Sequence, residues 1–420
     1  MMKKYCLLLS LLLITLATVK AHNPTVPPNN QPSQASDNQN NYSDPLLVVV
    51  LMVKNEMNVI KATLRPYVEA VANGVGKKLS FFVFDTGSTD NTIPVTKQYF
   101  EENNLHNAVI MQEPFIDFAT SRNRALQLAQ ETFPHASFML MPDAEWYMHN
   151  VEGLIQFCEI HKNNPCNSYL VRIMNAAIDF YTPRLIKCRS GIHFIGRVHE
   201  VLNEVTRQTV SSDCFFEWAA GAQGQEKTKK RWLRDLGLLL QDYEHNPFDP
   251  RTVFYVAQTY ECLGDLNNAR EWYERRITMH GWDEENFIAR YRLAQICETL
   301  GDWPQAQCHY LTAFSQRPSR AEPLVRLAQH YWNLREINLC YLFSRRAVEI
   351  PYPQRDILFI DKPLYNYTRY DLLGISAWYV GEYKLGKEAV LQALKAWPDA
   401  PHLLSNLNLY LSQDVKAVPA

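Results

Sequence analysis

The first third of the chain alternates between short apolar runs and amphipathic stretches, and two of the runs stop abruptly at acids. Residues 46–52, LLVVVLM, are continuously apolar, as a strand covered on both faces requires, and end in Val53-Lys54-Asn55-Glu56 before a helical stretch to about Ala72. Residues 81–90, FFVFDTGSTD, repeat the pattern: four apolar residues form a strand, then Asp85, Gly87, Ser88 and Asp90 supply a turn, backbone donors and two carboxylates. An amphipathic helix over 91–103 follows, then a short strand over 107–111 and a helix capped by Thr120 or Ser121. A further strand over 137–141, SFMLM, again ends in acids, Asp143-Ala144-Glu145. Strands alternating with helices of this length predict an α/β unit with a largely parallel sheet, whose ligands bind outside the carboxyl ends of the strands.

From Lys227 the strand signal fades and helical periodicity takes over. Leu263-Gly264-Asp265 followed by Ala269 recurs 37 residues later as Leu300-Gly301-Asp302 followed by Ala306, and Val380-Gly381-Glu382-Tyr383 echoes it. The helices upstream match in register, FYVAQTYECLG with YRLAQICETLG, and RLAQHYWNL repeats the theme around Ala328. Small residues let paired helices approach and Gly ends the first helix of each pair, so the segment resembles tetratricopeptide repeats, whose usual period is about 34 residues. Tyr260, Trp272, Tyr273, Tyr310 and Trp332 read as packing between helices, and 351–363, bounded by prolines, as a loop interrupting the array. Such an array offers a concave face for an extended protein or glycan partner, or an interface for a homo-oligomer.

Composition changes this picture only at the edges. A 420-residue chain with 47% hydrophobic residues and 20% charged ones is globular and long enough for two or three domains. A net charge of -2 excludes nucleic acid as a bulk partner, because that binding needs a basic surface to displace counterions. Lys3 and Lys4 precede an apolar run over 5–19 and the small-residue site Val19-Lys20-Ala21, the pattern of a signal peptide, with a short signal anchor as the alternative over 1–21. Export into a secretory lumen follows if the segment functions, and a cytoplasmic location if it does not. Residues 22–45, rich in Asn, Pro, Gln and Ser, read as a linker. The nine cysteines show no CxxC spacing; Cys262, Cys297 and Cys340 fall on apolar helix positions and read as core thiols.

Asp85, Asp90, Asp143 and Glu145 carry the candidate chemistry. Acids converging on one sheet edge without Lys or Arg would repel one another unless a cation lay among them, and Mg²⁺ or Mn²⁺ takes oxygen ligands and shares its shell with phosphate. That predicts a metal-bound diphosphate ligand. The same residue types also serve as turn and helix caps, Asp90 or Asn91 especially.

Six short motifs occur in the order seen in glycosyltransferase family 2: VKNE at 53–56, DTGSTDNT at 85–92, DFATSRNRAL at 117–126, DAE at 143–145, PRL at 183–185 and VHE at 198–200. Over about 46–205 the chain resembles the branch related to lipopolysaccharide-core glucosyltransferases. The resemblance implies a GT-A domain with a Rossmann-like mixed sheet over 46–225, ahead of the all-α repeat domain read above over 226–415, and transfer of a sugar from a nucleotide diphosphate, usually with inversion and with Mg²⁺ or Mn²⁺. It places Asp85 on the nucleotide base with Asn55 and Glu56 in the same pocket, Asp90 completing the site, and Arg122 and Asn123 facing the donor, a UDP-sugar by preference. The family's DxD motif falls on Asp143 and Glu145, the first near ribose and metal, the second on metal and diphosphate; Glu replaces the usual Asp, displacing the carboxylate by roughly 1 Å or more. An inverting transfer needs a base for the acceptor proton, for which Glu200 is the candidate, with His199 as a metal, phosphate or orienting partner. Two other readings use the same chain: a helical-repeat adaptor whose transferase domain is inactive or only binds nucleotide, and a hydrolase with paired carboxylates.

Overall fold

The computed structural model describes residues 44–416 apart from 205, 207 and 219–224, so the N-terminal signal and nearly all of the linker lie outside the described residues. No described helix is long and apolar enough to cross a membrane. The chain divides into two compact units, one made of the residues up to 173 with 182–231, the other of 174–181 with 232–416.

The strands up to Trp218 are β1 (Leu47–Val53), β2 (Leu79–Asp85), β3 (Ala108–Gln112), β4 (Phe138–Leu140), β5 (Trp146–His149), β6 (Ser168–Met174), β7 (Ile178–Lys187) and β10 (Phe215–Trp218), with a separate two-stranded sheet of β8 (Phe194–Ile195) and β9 (Val201–Leu202); all belong to the first unit except Met174 of β6 and residues 178–181 of β7. The main sheet runs β3-β2-β1-β4-β7-β6-β10-β5. β3, β2, β1 and β4 are parallel, whereas β7 joins β4 antiparallel, so the sheet is mixed. Every residue of β1 and β2 is buried, which explains their unbroken apolar runs. Val48, Val50, Met52, Phe82 and Phe84 pack with Phe118, Ala125, Leu126 and Ala129 of α3 (Phe118–Thr132). On the opposite side Phe81 meets Phe100 of α2 (Thr92–Glu102), and α1 (Ile60–Ala70) buries Leu64 and Val68. α4 (Val151–His161) begins at Asn150, whose side chain accepts from the Gly153 amide at 2.9 Å. The start of α3 differs from expectation. Asp117 accepts from the Thr120 amide at 2.7 Å and caps the helix ahead of Thr120.

The second unit is an array of paired helices. After α5 (Gln225–His245) come α6 (Pro250–Leu263) with α7 (Leu266–Ile277), α8 (Asp283–Thr299) with α9 (Trp303–Gln316), α10 (Glu322–Asn333) with α11 (Ile337–Glu349), α12 (Arg369–Tyr379) with α13 (Tyr383–Ala396), and a last helix α14 (Pro401–Lys416). Ala257, Ala294 and Ala328 are fully buried, as close helix approach demands. Tyr273 donates to Glu261 at 2.7 Å, and Tyr310 makes the same bond to Glu298 at 2.8 Å one repeat later. The turns take left-handed backbone at Gly264, Gly301 and Gly381, and also at Arg335, where no glycine marks the site. Cys297 and Cys340 are core thiols as expected, while Cys262 is half-buried; all eight described cysteines are free.

The segment over 351–363 is an integral part of this unit. Asp356 accepts from Arg317 Nε at 2.6 Å and Arg320 Nη1 at 3.3 Å, Glu284 accepts from the Ile357 and Leu358 amides, and β11 (Ile360–Asp361) pairs antiparallel with Ile178 and Asp179. At the C-terminal end Tyr410 donates to the Gly374 carbonyl at 2.6 Å, and its ring lies where a Cβ on Gly386 would stand. Gly386→Ala is therefore expected to destabilise this end by about 1–3 kcal/mol through overpacking. Urea denaturation checks it, and an unchanged midpoint would refute the packing.

Candidate functional site

The parallel half of the sheet places the predicted acids at its carboxyl edge but not side by side. β2 and β4 flank β1, so Asp85 at the end of β2 and Asp143 after β4 lie two strand spacings apart, about 10 Å along the sheet.

Asp85 is fully buried. Its Oδ1 accepts three hydrogen bonds of 2.9 Å, from the amides of Gly87 and Ser88 and from Gln112 Nε2, while its Oδ2 is buried with no hydrogen-bond partner. Gly87 turns the chain at φ +98°, a conformation few other residues tolerate. Asn55, itself left-handed at φ 58°, ties the loop after β1 to the loop after β2: its amide donates to Ser88 Oγ at 2.8 Å, and its Oδ1 accepts from the Thr89 amide at 2.7 Å. The Glu56 amide donates to Thr92 Oγ1 at 2.7 Å, which sets the buried Glu56 beside the start of α2. Asp90 Oδ1 accepts from the Thr92 amide at 2.9 Å and from Thr92 Oγ1 at 2.5 Å. Burial pushes the Asp90 carboxyl up, but the Thr92 and Met57 hydrogen bonds outweigh it and hold the group below the usual carboxylate range. Asn55 and Asp90 thus build the cradle in which Asp85 sits.

The second cluster is a buried quartet of charges. Arg122 donates from Nε to Glu200 Oε1 and from Nη2 to Asp143 Oδ1, both at 2.6 Å. Arg184, on β7, approaches the same acids at 3.7 Å from Asp143 Oδ2 and 3.6 Å from Glu200 Oε1. Its guanidinium lies over the rings of Trp146, 5.1 Å away, and Phe194, 5.6 Å away. Burial works against the Arg122 charge, but Asp143 and Glu200 more than compensate and raise its pKa; for Arg184 burial, then the like charge of Arg122, wins and lowers it. Two cations and two anions therefore balance within the cluster, so Asp143, one of the four acids expected to lie uncompensated, has arginine counter-ions.

Asn123 has both ends of its amide committed to the Phe194 backbone, Nδ2 donating to the carbonyl at 2.8 Å and Oδ1 accepting from the amide at 2.7 Å. It anchors β8 and through it the turn carrying Glu200 and His199, a half-buried residue at φ 53°. Asn123→Leu should free the Phe194 amide, at a cost of about 1–3 kcal/mol; hydrogen exchange at Phe194 no faster than in the parent would contradict this. Glu145 is half-buried. Among the described residues no three His, Cys, Asp or Glu side chains form a ready-made metal site. Of the residues expected to hold Mg²⁺ or Mn²⁺, Asp143 has one oxygen accepting from Arg122 at 2.6 Å. Arg184, Gln112 and Trp146 complete the two clusters without having been given a role from the sequence; for Arg184 the PRL motif was the available signal.

The fold thus defines a mixed α/β sheet unit and an array of paired helices. No protein-family model matches the sequence, and no curated protein matches it. Among solved structures it is similar to the C-terminal part of a TPR repeat-containing protein from Cytophaga hutchinsonii, with 13% identity over 44% of this chain and 69% of that one and a TM-score of 0.35. It is also similar to YrrB, described as a TPR protein with an unusual peptide-binding site, with 13% identity over 43% of this chain and 84% of that one and a TM-score of 0.34.

Proposed function

We propose that the α/β unit binds the nucleoside end of a nucleoside-diphosphate sugar at Asp85 and transfers the sugar to a protein or glycan acceptor recruited by the helical array. One observation carries the reading: a carboxylate at the carboxyl end of an inner parallel strand with one oxygen saturated by three donors and the other buried without any. A buried acceptor left unpaired costs about 1–3 kcal/mol, which a ligand donor recovers. A single free oxygen suits a base offering one imide N–H, as uracil does, better than guanine with its paired donors. Because Asp85 is covered, the loop over 86–90 moves when the base enters.

The adaptor reading is favoured by a different observation. The expected base, Glu200, is almost fully buried and held by Arg122, so it reaches an acceptor proton only after that pair opens. Incubating the full chain with UDP-sugars and quantifying released UDP tests transfer against binding alone. Turnover abolished by Glu200→Gln with UDP binding retained supports transfer; UDP binding without turnover on any sugar or acceptor supports the adaptor.

A further inference from the structure

The charge quartet points to how the anionic part of the ligand is held, an inference that rests on the nucleotide reading above. Arg122 already satisfies Asp143 and Glu200 with bonds of 2.6 Å. Arg184 is left at 3.6 and 3.7 Å from those acids, beyond hydrogen-bond reach, and its Nε and Nη1 are buried without an acceptor. The residue is only 6% exposed, so water cannot freely serve these donors. A buried guanidinium with unmet donors on Nε and Nη1, which point to different sides of the planar group, suits phosphate oxygens as charge-assisted acceptors.

Its position fits the same ligand. Arg184 lies on β7 where its carbonyl accepts from the Met141 amide at 2.9 Å, alongside the carboxyl end of β4. Asp85 on β2 is three strands away, roughly 14 Å at about 4.8 Å per strand. A base, ribose and diphosphate in extended form cover that span once the reach of the arginine side chain is included. The unmet acceptor at one end of the edge and the unmet donors at the other are the complement of a nucleoside diphosphate, which brings an imide donor and phosphate acceptors.

We propose that Arg184 donates hydrogen bonds directly to the diphosphate, a contact that needs no divalent cation, while Arg122 stays paired with Asp143 and Glu200. Arg122 is a positioning residue that keeps the two acids from capturing Arg184. The test is calorimetric titration of the full chain with UDP and with uridine, each in EDTA and in Mn²⁺, for the parent, Arg184→Lys and Arg184→Gln, with circular dichroism confirming each variant is folded. The expected result is that UDP binds at least about tenfold tighter than uridine in EDTA, that Mn²⁺ changes this by less than about threefold, and that Arg184→Gln brings UDP to the uridine level while Arg184→Lys retains part of the gain. UDP equal to uridine in EDTA but tighter with Mn²⁺ overturns the inference and leaves the nucleotide reading standing. No binding of either ligand under any condition overturns both. Should Arg184→Gln fail to fold, the parent's EDTA comparison and Arg184→Lys still decide the matter.

Discussion

Asp85→Asn is expected to weaken UDP binding by roughly 10- to 100-fold or more, the equivalent of about 1.5–3 kcal/mol for a hydrogen bond to a charged acceptor. The asparagine keeps an oxygen for the Gly87 and Ser88 amides and Gln112, so the loop after β2 retains its bonds in weakened form. The other end changes from acceptor to donor: an NH₂ group replaces Oδ2 and faces the imide N–H of the base. Donor against donor leaves two buried groups unpaired, and the substitution costs more than deleting one bond. Titration calorimetry reads the effect, and an affinity within about threefold of the parent would remove Asp85 from the binding site.

Arg122→Met is expected to destabilise the α/β unit by about 3–5 kcal/mol, the cost of removing one partner from a buried ion pair. The arginine side chain is 2% exposed and bridges two acids whose side chains are themselves 10% and 4% exposed, so its loss strands two anions with only the more distant Arg184 between them. The mechanism has its own control. Combining Arg122→Met with Asp143→Asn and Glu200→Gln removes the stranded charges, and the triple variant is expected to recover a large part of the loss, a non-additivity that contacting residues show. Chemical denaturation of the parent, single and triple variants provides the measurement. A single variant within about 1 kcal/mol of the parent, or a triple variant no better than the single, would contradict the charge-balance account.

How much of this was legible in the sequence differs between elements for physical reasons. β1 and β2 announce themselves because both faces are buried; β1 is shifted by one residue from its predicted place, and β2 starts two residues before the FFVF run. The repeat turns at Gly264 and Gly301 are marked by the residue that adopts left-handed backbone most readily, while the turn at Arg335 is made by a residue with no such signature. The antiparallel insertion of β7 between β4 and β6 depends on long-range pairing, which local periodicity does not encode. The acids of the candidate site were visible as strand-end clusters. Their counter-ions were not, because Arg122 comes from a helix and Arg184 from a strand more than sixty residues further on, and only the fold brings both to Asp143. The segment over 351–363 shows the same limit: its prolines mark a break in the array, yet Asp356, Arg317, Arg320 and Glu284 make it part of the unit.

The central claim is that the unpaired oxygen of Asp85 is a nucleotide-base receptor, and the structure of a complex with UDP tests it most directly. The account predicts the uracil imide within hydrogen-bond distance of Oδ2, with the loop over 86–90 displaced from its present path. UDP bound away from the carboxyl edge of β2, for example in the cavity of about 580 Å³ lined by Asn150, Gln156, Ser211 and Asp213, would contradict it.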